Sequence, residues 1–327
     1  MIDTNPLVTV LTPVYNGEAF IAECIESVRR QTYQNWEYVI VNNCSTDRTL
    51  DIINKHASED TRIRVHNNED FVDVIQNHNI AFQQLSKNSK YCKLVQADDL
   101  LFSTCIEDMV DVAEASPSIG VVGSYCIAGT RVRCDGLSYP TPLITGIEVC
   151  RNTLLGRYYL FWSPSCLLIR SDIIGNRQPF YRIPYLHADV DALYEILQNC
   201  DFGFVYQVLT SIRTHKESMT SQDAQRINTQ RLSQLQLLAK YGPFYLTAKE
   251  FELRVNTLLD IYYHSLVIAI IDLKRSEFWK YQKSELSKLG YPLSTLKLLN
   301  AFLSAIISNP RELARHLKAR LIAKPTA

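Results

Sequence analysis

No two cysteines in this chain stand at CxxC spacing, although nine are scattered between Cys24 and Cys200. Several sit inside apolar runs, where cysteine packs as a small hydrophobe, and nine is an odd number. Bound zinc and a disulfide framework are both disfavoured, and a reducing, cytoplasmic setting is expected. Glycine-rich phosphate loops are missing too: the eleven glycines never form GxGxxG or GxxxxGK[ST]. That disfavours the usual dinucleotide and P-loop mechanisms, so any phosphate charge would have to be met by a metal. The longest apolar run, 265–271, is far shorter than the roughly 20 helical residues that cross a bilayer. The first residues, MIDTNP, lack a basic stretch ahead of an apolar one, so no signal peptide is expected. Net charge is absent as well, with 34 Lys and Arg against 34 Asp and Glu, which leaves no global field for nucleic acid or an acidic partner. What remains is 327 residues with 46% hydrophobic and 21% charged side chains, enough for one large domain or an ordinary domain with an appendage.

Residues 7–12 form a β-branched run, followed by turn residues and then apolar positions at helical spacing over 19–30. The pattern repeats. Strands are predicted at 36–41, 63–65 and 91–97, and helices at 49–56, 72–85 and 106–115. Strands alternating with helices require a parallel sheet with right-handed crossovers, so the amino-terminal part reads as a Rossmann-like α/β layer. Three strands then end in polar residues at one sheet edge: Thr12 and Pro13, Asn42 and Asn43, Asp98 and Asp99. Open α/β sheets bind ligands in that crevice. Two adjacent acids there call for a cation, and carboxylates suit magnesium or manganese. The competing reading is that Asp98 or Asp99 caps a helix starting near Ser103, that Asn42 and Asn43 form a capping turn, and that Asp47 caps the next helix.

The segments VLTPVYNG (10–17), SVRRQT (27–32), EYVIVNNCSTDRT (37–49) and QADD (96–99) carry a resemblance. In order and spacing they are similar to the family-two inverting glycosyltransferases of the GT-A fold. The resemblance implies that Thr12, Pro13 and Tyr15 line a base pocket, that Asn42 or Asn43 meets the base edge, that Asp98 lies near the ribose and that Asp99 binds Mn2+ or Mg2+. Where the family usually begins its second motif with Asp, this chain has Asn42. An amide accepts a hydrogen bond from a pyrimidine ring but adds a donor and removes a charge.

Further along, 119–125 reads as a buried strand and 129–143 as a long loop or added hairpin. The segment YYLFWSPSCLLIR (158–170) resembles the family's acceptor side, with Trp162 either against a sugar face or in the core. HAD (187–189) stands where the family carries a Glu-Asp pair, which makes Asp189 the expected general base and Asp191 the fallback. Both acids also suit the start of a helix by its macrodipole. TSIRTHKES (210–218) resembles an Arg-x-His stretch, placing Arg213 at a diphosphate and His215 at the metal. From 222 onward the pattern turns helical and ends in a basic amphipathic segment, 310–322, suited to an anionic membrane face or to docking on its own domain or another subunit.

The expected organisation is therefore a GT-A domain over 1–220, with a nucleotide-sugar half of about 1–105 and an acceptor half of about 106–220, followed by a helical region over 221–327. The resemblance implies a nucleotide-diphosphate-sugar donor, UDP favoured with GDP or dTDP as alternatives. It also implies a saccharide or lipid-linked acceptor, a role in bacterial surface polysaccharide assembly, and a cytoplasmic protein that can sit at the inner face of the membrane. Two rivals stand beside it: a sugar-phosphate nucleotidyltransferase and a non-catalytic nucleotide-sugar-binding assembly subunit.

Overall fold

A computed structural model describes residues 5–141, 143–182, 187–213, 229–272, 276–308 and 310–311. His215 and nearly all of the basic segment 310–322 lie outside the described residues. The chain divides into two compact units, Met1–Thr214 and His215–Ala327.

The first unit opens with β1 (Val8–Val14), α1 (Ile21–Arg29), β2 (Trp36–Asn42), α2 (Thr49–Glu59), β3 (Ile63–Asn67), α3 (Val74–Gln83) and β4 (Tyr91–Leu94). All seven residues of β1 are buried, as expected for a strand with parallel neighbours on both sides and helices on both faces. On α1, Ile21, Cys24, Ile25 and Val28 recur at helical spacing and are wholly buried beside Val8, Val10, Tyr38 and Ile40. Burial of each such aliphatic stabilises the fold by about 1.5–3 kcal/mol. Next come β5 (Leu100–Leu101), α4 (Cys105–Glu114), β6 (Ile119–Ala128) and β7 (Arg131–Arg133), the last folded back on β6 through Gly129 and Thr130. Of the two readings for 129–143, its start is thus a hairpin. After β8 (Leu143–Ile144) and α5 (Gly146–Leu155), a single helical turn (Pro164–Cys166) leads into β9 (Leu167–Arg170), α6 (Ser171–Gly175), α7 (Ala188–Ile196) and β10 (Asp201–Ile212).

The sheet runs β3-β2-β1-β4-β9-β6-β10-β5, with β7 on β6 and β8 on β10. From β3 to β4 it is parallel throughout. β9 then runs antiparallel between β4 and β6, and β10 returns parallel to β6. The β1–β4 ladder stops at Leu11 and Leu94, with a last bond from the Val95 N–H to the Leu11 carbonyl at 2.9 Å. Beyond that point the strands part, which opens the carboxyl edge. Pro13 lies within β1 rather than after it, as the sequence had suggested; it points toward the side β4 has already left, so its missing N–H deprives no neighbour.

The second unit contains α8 (Thr229–Tyr245), α9 (Ala248–Ile271), α10 (Ser276–Lys288) and α11 (Thr295–Ser308). A reciprocal cap between Thr247 and Glu250 starts α9. Among the described residues, no helix is long and apolar enough to cross a membrane.

Gly146 supplies a test of the packing around α5. A Cβ there would fall 2.1 Å from the Leu197 carbonyl oxygen and 2.2 Å from that of Cys200, both backbone atoms. Gly146→Ala is expected to destabilise the first unit by about 1–3 kcal/mol, read as a lower urea midpoint; an unchanged midpoint would mean that this contact gives way freely.

Candidate functional site

At the edge where β1 and β4 part, the chain turns through Gln96 and brings Asp98 and Asp99 together. Asp99 is only 2% exposed. The Ser165 hydroxyl donates to its Oδ2 at 2.6 Å, and the Arg213 backbone N–H donates to its Oδ1 at 3.3 Å. Ser165 is itself held on every side: its Oγ accepts the Gln96 N–H at 2.9 Å, and its carbonyl accepts Lys93 Nζ at 2.7 Å and Thr210 Oγ1 at 3.1 Å. Burial, and after it the neighbouring charge of Asp98, pushes the Asp99 carboxyl up to about 7. Two adjacent carboxylates that offer only oxygen ligands, one of them buried, fit a hard divalent cation. Neither caps α4, whose N-cap is Thr104. Asp47, by contrast, accepts the N–H of Thr49 at the start of α2 and that of Glu18.

The other polar strand ends divide into fasteners and exposed groups. Thr12 is fully buried and bonds the Val95 carbonyl and the Tyr38 hydroxyl, both at 2.8 Å, so it closes the sheet and does not face a ligand. Pro13 is buried as well. The Asn43 amide is committed to Val72 through both its oxygen and its nitrogen and also accepts from Asn68, which ties the 68–72 loop to the end of β2. That corrects its expected place at the base edge. Asn42 is buried and donates to Asn67 Oδ1 at 3.0 Å while accepting the Ser45 N–H. Tyr15, in contrast, is 48% exposed and meets the edge of Phe71, itself 60% exposed, with ring centroids 4.8 Å apart. This aromatic pair at the rim is a surface on which a planar base can stack.

Asp189 and Asp191 share the first turn of α7 yet meet different surroundings. Asp189 is half-buried and borders an apolar cleft walled by Leu94, Pro164, Phe180, Tyr181 and Leu193. Its charge is felt by His78, Tyr159 and Tyr181. His78 is buried, with Nδ1 2.7 Å from the Val74 carbonyl and Nε2 3.1 Å from the Gln96 amide nitrogen. Donation from Nδ1 and acceptance at Nε2 describe a neutral ring, and burial lowers its affinity for a proton. Asp191 is 2% exposed beside the Arg177 guanidinium at 3.7 Å, and Arg177 also holds Glu195 at 2.6 Å. An acceptor hydroxyl has no path to it, so the fallback base is corrected to a structural ion-pair residue.

Arg213 and Trp162 are both already engaged. The Arg213 guanidinium pairs with Glu23 and lies 5.0 Å over the Phe20 ring, while its backbone serves Asp99. Trp162 is half-buried, with the Arg133 guanidinium 4.4 Å over its ring and Tyr159 at its edge. Pro164 borders the Asp189 cleft and its neighbour Ser165 holds Asp99, so one turn links the two carboxylate sites. The sequence reading missed Ser165, Lys93, His78 and Phe71. Only Phe71 carried a signal, as a lone aromatic in the polar stretch after β3.

The raised Asp99 carboxyl has a consequence for stability. Between the ordinary value of 3.8 and about 7 the folded chain keeps a proton that the unfolded chain has released, so stability falls as pH rises through that window. Without divalent cation, the wild-type denaturation midpoint should drop between about pH 4 and about pH 7, and Asp99→Asn should lose that part of the drop. Matching pH dependence in the two proteins would remove the assignment.

The profile of Glycosyl transferase family 2 matches residues 9–155. An uncharacterized glycosyltransferase of Haemophilus influenzae is 29% identical over 189 residues, 56% of this chain and 58% of that protein. The Bacillus subtilis protein TuaG, named a putative teichuronic acid biosynthesis glycosyltransferase, is 28% identical over 157 residues, 48% of this chain and 62% of its own. The matches thus span less than two thirds of these relatives. In structure the chain is similar to residues 1–349 of S. aureus TarS in complex with UDP, with TM-score 0.59, 14% identity and coverage of 98% and 93% of the two chains. It is also similar to the mannosyltransferase PcManGT of Pyrobaculum calidifontis in complex with GDP-Man and Mn2+, with TM-score 0.57, 16% identity and coverage of 98% and 86%. The two structural likenesses establish the GT-A fold, and residues 9–155 carry the match to glycosyl transferase family 2.

Proposed function

We propose that this protein is a metal-dependent inverting glycosyltransferase that moves a sugar from a nucleoside diphosphate to a hydroxyl of a saccharide or lipid-linked acceptor. The observation that carries the reading is the division of labour between carboxylates: Asp98 and Asp99 paired at the parting of β1 and β4, and Asp189 alone at the cleft beyond the Pro164–Cys166 turn. Asp189 takes the proton of the acceptor hydroxyl as its oxygen attacks the anomeric carbon. The bond to the diphosphate breaks on the opposite face, so one displacement inverts the configuration. Tyr15 and Phe71 stack the base. Asp99 would hold Mn2+ or Mg2+, with Asp98 beside it near the ribose, and the bound ion would offset the charge of the diphosphate leaving group.

UDP is the favoured donor nucleotide, because complexes of TarS with UDP and with UDP-GlcNAc are among the structural neighbours; the PcManGT complex with GDP-Man keeps GDP in contention. Residues 1–220 would form the catalytic domain, with donor and acceptor halves meeting near residue 105, and 221–327 a helical region. Relatives named for teichuronic acid biosynthesis and as the putative glycosyltransferase EpsE support a place in surface polysaccharide assembly. Such a role puts the enzyme in the cytoplasm, where the basic segment 310–322 can bring it to an anionic membrane carrying a lipid-linked acceptor. A sugar-phosphate nucleotidyltransferase would need a glycine-rich basic loop after the first strand, and VLTPVYNG lacks one.

Calorimetry with UDP, GDP and dTDP, with and without Mn2+, tests the donor site: one nucleotide should bind in a manganese-dependent way that Asp99→Ala abolishes. Asp189→Asn should keep that binding and lose turnover by about 10²–10⁴-fold. Asp191→Ala should instead lose stability, by about 1–2 kcal/mol, since it removes one of the two carboxylates beside the buried Arg177 and leaves a cavity. Absence of binding by all three nucleotides would sink the proposal. Binding without turnover in the wild type would favour the assembly-subunit reading.

A further inference from the structure

Behind the turn that holds Asp99, three thiols converge from three separate segments. Cys126 lies in β6, Cys134 follows β7, and Cys166 ends the Pro164–Cys166 turn. Their sulfur atoms all lie within 4.8 Å of one another, and all three residues are buried. The spacings, eight residues and then thirty-two, match no metal motif; the fold alone assembles the group.

We propose that Cys126, Cys134 and Cys166 bind one thiophilic metal ion, with zinc and copper(I) as the candidates. Zinc–sulfur bonds of about 2.3 Å set tetrahedral sulfurs roughly 3.8 Å apart, within reach of small side-chain rotations from the observed cluster. The backbone aims one thiol at the group: Cys134 has φ 63°, a left-handed conformation that a non-glycine residue adopts only at a cost of about 1 kcal/mol or more. The Trp162 backbone N–H lies on the Cys134 side of the group, and its dipole favours the thiolate form of that sulfur. For zinc the charge is matched as well. A divalent ion with three thiolates carries one net negative charge, and the guanidinium of Arg133, next in chain to Cys134, lies beside the group with its Nε buried and lacking a hydrogen-bond partner among the described residues. An ion at this place would lock the β6–β7 hairpin to the Pro164–Cys166 turn and so steady Ser165. The inference does not depend on the glycosyltransferase reading.

Elemental analysis of the full chain, purified under reducing conditions without a chelating column, should find about one equivalent of zinc or copper per chain. Cys200→Ala should retain it, while Cys126→Ser, Cys134→Ser and Cys166→Ser should each fall below about a tenth of an equivalent. Because those variants can fail to fold, cobalt loading of the wild type gives an independent reading. A thiolate-to-cobalt charge-transfer band that saturates at one equivalent and is displaced by zinc supports the site. Absence of bound metal together with absence of that band overturns it, as does metal bound without the band or a disulfide linking any two of the three residues.

Discussion

The first unit depends on one buried carboxylate. Asp99, in the turn that follows central strand β4, has almost no access to water, and a charge so placed is tolerated only where hydrogen-bond donors or a cation meet it. The donors come from far along the chain: the Ser165 hydroxyl and the Arg213 N–H, with Ser165 itself gripped by Lys93 and Thr210. Lys93 is as deeply buried as Asp99, and the serine stands between the two. Four segments are thereby tied at one point: β4, the turn after it, the turn before β9, and β10. The same arrangement that makes the carboxylate costly to ionise prepares it to receive a cation.

Around that point the carboxyl edge is built as much for rigidity as for contact. Thr12 fastens β1 to the end of β4, and Asn43 fastens the loop after β3 to β2. These groups sit where polar strand ends were expected to face a ligand. A strand end supplies both kinds of residue, because alternate side chains point to opposite faces and those directed inward must find partners within the protein. Among the described residues, the exposed pair of Tyr15 and Phe71, the Asp98–Asp99 turn and the half-buried Asp189 are not fasteners of this kind.

Most of the layer order could be read directly. Runs of 4–7 apolar residues alternating with helical patterns located β1 to β4 and α1 to α4, with ends displaced by up to three residues. The short strands could not be read, because two residues such as Leu100 and Leu101 or Leu143 and Ile144 have no periodicity and exist only through their partners. Strand β10 runs twelve residues although its later residues carry polar side chains, because they are paired with β6 along their length. The acids at 98, 99, 189 and 191 were visible as acids. Their roles were not, for Asp191 differs from Asp189 only in having Arg177 beneath it.

By itself, the sequence determined the alternating α/β architecture, the polar edge at which the strands end, and the family whose pattern residues 9–155 match. Those properties are written in local patterns, which survive being read one segment at a time. Tertiary structure alone decided which carboxylate is buried, which is walled in by an arginine and which borders a cleft. It alone brought Ser165 to Asp99 and gathered Cys126, Cys134 and Cys166 into one group. Each of those facts depends on the distance between residues tens of positions apart, and such a distance exists only once the sheet has closed.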